Sequence, residues 1–131
     1  LFIALLFVIY VYRNPERLPQ NLEDGSVVSP VDGEIKSIKE IDDEEFGYKI
    51  EIFSSYTDTS ILRIPFNSKV IKFEKFNGAR LASYATASDA INENATLVLE
   101  DVNSRKIKIK HKLSQSFAEL RLSTDYSKGF I

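Results

Sequence analysis

Polar and apolar positions divide the chain into two regimes. Residues 1–12 read LFIALLFVIYVY, an apolar run without charge, and Arg13 and Arg17 follow it at once. A bilayer-crossing helix needs about 20 apolar residues, so the run is too short to span alone. It is read as the C-terminal half of a transmembrane helix; a buried core helix or strand and a signal-peptide core are the alternatives. As an anchor, its flanking arginines would place the rest of the chain on the cytoplasmic side, with Tyr10 and Tyr12 at the membrane–water boundary. Asn14-Pro15 and Leu18-Pro19 break any helix, because proline removes an N–H and restricts the residue before it. Residues 13–26 are therefore expected to be a linker.

Beyond Ser26 the pattern turns to short strands. Val27-Val28-Ser29-Pro30 is a brief apolar run, and Val31-Asp32-Gly33 supplies a turn before Glu34 to Ile38. Ile41 to Glu45 is acidic and predicts a solvated loop, and Tyr48 to Phe53 alternates again. Ser68 to Phe76 ends at the turn dipeptide Asn77-Gly78. Ala95 to Glu100 and Lys106 to Leu113 flank Asp101 to Arg105, which predicts a hairpin. In the second of these strands Ile107, Ile109 and His111 share one face and Lys106, Lys108, Lys110 and Lys112 the other. That pattern makes His111 a core or edge histidine and the lysines a solvated strand face, with attraction to anionic lipid as the functional alternative. Ser83 to Asn92 reads as a loop with one helical turn, and Ser114 to Arg121 as a short helix or another strand. The fold class is mainly β, a barrel or sandwich of short strands, preceded by an N-terminal membrane helix segment. Its expected parts are an anchor at 1–12, a linker at 13–26 and a β domain at 27–131.

Composition narrows the chemistry. A chain of 131 residues with 44% hydrophobic content supports a folded core. A net charge of −2 gives no electrostatic footprint for nucleic acid. Without cysteine, and with His111 as the single histidine, thiolate nucleophiles, disulfides and histidine-rich metal sites are excluded. No phosphate-binding glycine loop and no paired serine and histidine emerge from the residues themselves.

A set of short motifs in fixed order adds a resemblance. Tyr12-Arg13-Asn14-Pro15-Glu16-Arg17 is similar to FFRDPER, Val27 to Gly33 to VVSPADG, and Ile52 to Pro65 to IFMSPFDVHVNRAP. Asn67 to Ile71 resembles SGKVI, Phe76-Asn77-Gly78-Ala79 stands where a PGKF-type turn occurs, and Ala85 to Asn94 resembles A-S-x-x-N-E-R-N. This ordered series is that of the short bacterial phosphatidylserine decarboxylases. The resemblance implies a self-cleaving proenzyme whose serine, beyond Ile131 here, becomes a pyruvoyl group on a small C-terminal subunit. The pyruvoyl ketone forms a Schiff base with the amine of phosphatidylserine and acts as the electron sink for loss of CO2.

The same resemblance implies that Asp32 is the aspartate of the self-cleavage machinery, where the residue alone also reads as a turn former. It makes Arg63 a candidate for a lipid phosphate or carboxylate, against a structural salt bridge. Ser60 stands at the position of the family histidine, which protonates the substrate, and a serine hydroxyl does not titrate near neutrality. Asn14, Ser54-Ser55-Tyr56 and Asn94 also depart from the pattern, and Phe117 to Arg121 retains little of an alanine-arginine-arginine segment. Gly129-Phe130-Ile131 resembles the stretch that runs into the Gly-Ser cleavage motif, so truncation at both ends is expected. Two functions follow: a decarboxylase acting from the cytoplasmic face of a bacterial inner membrane, or a non-catalytic descendant that binds lipid or a partner. A homo-oligomer stays open. Val28 to Ile38 also resembles the hairpin of biotinyl or lipoyl carrier domains, but without their lysine-centred turn.

Overall fold

The computed structural model describes residues 1–16, 23, 25–59, 61–115 and 120. The chain separates into two compact units, Leu1–Phe66 and Asn67–Ile131. The first contains α1 (Phe2–Val11), β1 (Glu34–Glu40) and β2 (Tyr48–Phe53); the second contains β3 (Lys69–Phe76), α2 (Ser88–Ile91), β4 (Asn94–Glu100) and β5 (Lys106–Lys112).

The ten residues of α1 are apolar throughout, and none of them is buried. At 1.5 Å per residue the helix is about 15 Å long, half the hydrocarbon thickness. As the shortness of the apolar run already implied, among the described residues no helix is long and apolar enough to cross a membrane. The helix stops where Asn14-Pro15 predicts, with the Tyr12 amide bonded to Val8 O.

β1 and β2 form an antiparallel hairpin closed by the acidic loop, with Ile41 N donating to Gly47 O and the Asp43 carboxylate accepting from the Glu45 and Phe46 amides. Ile35 and Ile38 are three residues apart, which strict alternation would place on opposite faces. A bulge between Ile35 and Ser37 restores the phase, so that Ile35 pairs with Ile52 and Ile38 with Ile50. β3 repeats the device. Its bulge between Val70 and Lys72 lets Val70 face Leu99 and Phe73 face Leu97. Both bulges show the one-residue phase slip that periodicity in the sequence conceals.

The second unit is a three-stranded antiparallel sheet in the order β3-β4-β5. Leu97, Leu99 and Leu113 form its buried apolar centre. The hairpin predicted at Asp101 to Arg105 is present, and the Asp101 carboxylate organises it by accepting from the Asn103 and Arg105 amides and the Arg105 guanidinium. His111 lies half-buried opposite Ala95, on the apolar face as expected, while Lys106, Lys108 and Lys110 are exposed. The class is therefore mainly β, but neither sheet closes into a barrel among the described residues. Val27–Pro30 is not a strand. Pro30 lacks an N–H, and the segment is held by single backbone bonds. The one helical turn read into Ser83 to Asn92 is α2, whereas most of Ser114 to Arg121 lies outside the described residues.

Asn92, fully buried, fastens the second unit. Its side-chain amide donates to Leu81 O (2.8 Å) and Leu113 O (2.9 Å), and its carbonyl accepts from Leu81 N (2.9 Å). Beside it Gly78 allows close passage, since a Cβ there would stand 2.2 Å from Ile91 O. Asn92→Ala would leave a buried amide and two carbonyls unpaired. It is expected to lower the free energy of unfolding by about 2–4 kcal/mol, read from denaturant melts against an exposed control such as Asn103→Ala.

Candidate functional site

Three stretches distant in sequence meet within the first unit. Arg63 makes two connections. Its backbone amide donates to Pro30 O (2.7 Å), and its guanidinium Nη2 donates to Asn14 Oδ1 (2.9 Å) and Pro15 O (2.8 Å). A second backbone bond, Val28 N to Pro65 O (2.9 Å), laces residues 28–30 to 63–65 in antiparallel sense. Arg13 completes the set, donating from Nη1 to Tyr10 O (2.9 Å) and from Nη2 to Thr57 O (3.1 Å) while its guanidinium stacks 3.9 Å above the Tyr10 ring. The Tyr12–Pro15, Val28–Gly33 and Phe53–Pro65 segments are thereby joined.

Gly33 brings the Asp32 turn against the end of β2. A Cβ at that position would lie 2.5 Å from Phe53 O and 3.0 Å from Ile52 Cγ2, so only glycine permits the approach. Asp32 is half-buried in this turn, and Ser29 Oγ caps it by donating to Val31 O (2.7 Å). The loop that follows β2 closes on itself: Asp58 Oδ2 accepts from Ser55 N (2.7 Å), Asp58 N donates to Ser55 O (3.2 Å), and the Ser55 and Thr57 hydroxyls stand 2.8 Å apart. Residues 55–58 thus form a hydrogen-bonded turn.

The site residues expected from the sequence divide as follows. Asp32 and Arg63 are both drawn into this junction. Among the described bonds, the Arg63 guanidinium holds the linker, a contact that no sequence pattern announces. Ser60 lies outside the described residues. Its neighbour Thr59 is buried at 1% exposure, and its Oγ1 has no hydrogen-bond partner among the described residues. An orphaned buried hydroxyl is costly, and one in this segment suits a carbonyl or carboxyl oxygen brought to it.

The second unit contains a cluster that sequence reasoning missed. Glu93 is buried; its Oε2 accepts from Arg80 Nε (3.1 Å) and Nη2 (2.8 Å), and Oε1 faces Lys75 Nζ at 3.6 Å. Lys75 Nζ also donates to Leu120 O (3.1 Å). The Arg80 hydrogen bonds hold the Glu93 carboxyl below the usual range against the opposing effect of burial, helped by the charge of Arg80, the Leu120 amide and Lys75.

A model of the phosphatidylserine decarboxylase family matches residues 4–111, which takes in all three joined segments and the Asn92-Glu93 stretch. The chain belongs to the phosphatidylserine decarboxylase family. It is 37% identical over 98 residues to the phosphatidylserine decarboxylase proenzyme of Symbiobacterium thermophilum, covering 72% of this chain and 45% of that protein. It is 30% identical over 105 residues to the corresponding proenzyme of Pelobacter propionicus, covering 78% and 47%. The chain thus spans about half the length of the curated relatives it matches. No solved structure matches it. Family membership explains why Asp32, Arg63 and the Tyr12–Pro15 linker should be gathered at one place, since these are the stretches that carry the likeness.

The buried ion cluster gives a pH dependence with a definite sign. The folded pKa of Glu93 is depressed, as is that of Asp101, where burial raises it but bonds from Arg105 and the Asn103 amide outweigh that effect. Both contributions are complete above the unfolded carboxylate pKa of about 4 and are lost as pH falls through the folded values. Burial also depresses His111, adding a loss that begins below its unfolded pKa of about 6.5. Stability is expected to decline from about pH 6.5 and fall more steeply below about pH 4. In equilibrium melts, Glu93→Gln should flatten the steeper limb and His111→Phe the shallower one.

Proposed function

We propose that the chain is the body of a phosphatidylserine decarboxylase, converting phosphatidylserine to phosphatidylethanolamine and CO2 at the cytoplasmic face of a bacterial inner membrane. The observation that carries the reading is the junction at Arg63, which gathers Asp32, the linker and the loop after β2 in one unit. The family is pyruvoyl-dependent, and such a group, were it generated from a serine on a small C-terminal subunit, would supply an electron sink. The buried Thr59 hydroxyl, which has no partner among the described residues, is a donor able to hold an oxygen of that group or of the substrate. In this reading Asp32 orients the cleavage machinery. Arg63 keeps the segment in place and carries positive charge toward a lipid phosphate or carboxylate.

One observation favours a second reading. Ser60 stands where the family has its protonating histidine, and a hydroxyl cannot exchange protons near neutrality unaided. A non-catalytic family descendant, retaining the fold and lipid contact while binding lipid or a partner, would tolerate that exchange.

Intact-mass analysis of the full-length gene product separates the two. Self-cleavage with a pyruvoyl-blocked small chain supports the enzyme; an uncut product carrying a free serine supports the descendant. In the cleaved protein, CO2 release from phosphatidylserine is expected to be weak and to rise at least about 100-fold in Ser60→His, the usual scale of general acid–base catalysis. No gain would show that protonation does not limit the reaction.

A further inference from the structure

We propose that the loop after β2 is seated in the head-group layer of a phospholipid bilayer, with Tyr12 and Tyr56 as its interfacial anchors and Arg13 and Arg63 fixing its depth. The proposal rests on the decarboxylase reading only for its consequence, that lipid reaches the site without leaving the membrane. Its evidence is separate.

None of the ten contiguous apolar residues of α1 is buried, with Phe2, Ile3, Leu5, Phe7 and Ile9 each more than half exposed. A helix that is apolar on every side has no face to present to water, and the hydrocarbon of a lipid bilayer matches that chemistry. The end of α1 carries Tyr10, Tyr12 and Arg13, the residue types that sit at the level of lipid head groups. Arg13 stacks on Tyr10 and bonds to Thr57 O, which fixes the loop beside the end of the helix. Arg63 fixes the other end of the loop to Asn14 and Pro15, the two residues that follow. Tyr56 is 64% exposed and Tyr12 66%, and Phe53 at the loop's start, 45% exposed, adds a third aromatic ring. Two arginine links to the residues directly after α1 leave the loop little freedom to sit at another depth. The lipid contact of α1 therefore determines the position of Tyr56.

The chain contains no tryptophan, so Tyr12→Trp and Tyr56→Trp are single-tryptophan reporters. Each would be mixed with vesicles of phosphatidylcholine and phosphatidylglycerol, plain or brominated near the head of the acyl chain. Both reporters are expected to shift to shorter wavelength and to lose emission with brominated lipid. Adding Arg13→Gln and Arg63→Lys should return Tyr56→Trp to water-like emission while Tyr12→Trp keeps its shift. The proposal is overturned if Tyr56→Trp is unmoved by vesicles that shift Tyr12→Trp, or if neither reporter responds. It is also overturned if the doubly substituted protein keeps both shifts. None of these readings depends on CO2 release, so a failed decarboxylase assay with shifted reporters would leave the lipid seat standing.

Discussion

Arg63 is the residue on which the first unit depends. Its amide and guanidinium face two different segments, so one side chain and its own backbone join residues 14–15, 30 and 63. A charged donor shared between a side-chain carbonyl and a backbone carbonyl is a stronger tie than a neutral bond. Both bonds leave the one nitrogen Nη2, one through each of its two hydrogens, and the planar guanidinium fixes their directions where a lysine ammonium would rotate freely. Gly33 and the self-capped Ser55–Asp58 turn then set the local path on either side of β2. Neither would gather the segments without the arginine.

The second unit uses a different device for the same end. Asn92 and Glu93 sit side by side at the entry to β4. One is satisfied by backbone carbonyls and an amide, the other by Arg80 and Lys75. Buried polar groups cost stability unless fully paired, and the pairing here ties α2, the residue 80–81 segment and the end of β5 to the strand between them. Among the described residues Glu93 Oε1 has no hydrogen-bond partner, so this junction is held by charge as much as by directed bonds.

Strands were legible in the sequence because alternation survives almost any context. β2, β4, β5 and their turns fall within a residue or two of where Tyr48 to Phe53, Ala95 to Glu100 and Lys106 to Leu113 place them. The bulges in β1 and β3 were not legible, since an extra residue changes phase without changing composition. Val27–Pro30 looks like a strand by hydrophobicity and fails for want of the Pro30 donor. The site was legible only in part. The motif order singled out Asp32 and Arg63 as candidates, but the partners of Arg63 are a linker asparagine and a proline carbonyl that carry no periodic signal. Asn92 and Glu93 sit in a polar stretch where burial has no signature at all.

The claim on which the account turns is that Arg63 and Asn14 hold distant segments together as a unit. A double-mutant cycle tests it directly, with Arg63→Lys, Asn14→Ala and both together, each measured by denaturant unfolding in detergent micelles. Charged hydrogen bonds of this kind contribute about 1 kcal/mol or more, so the paired substitution should cost less than the sum of the single ones by about that amount. Strictly additive losses would mean that the two residues do not interact and that the junction is not built on Arg63.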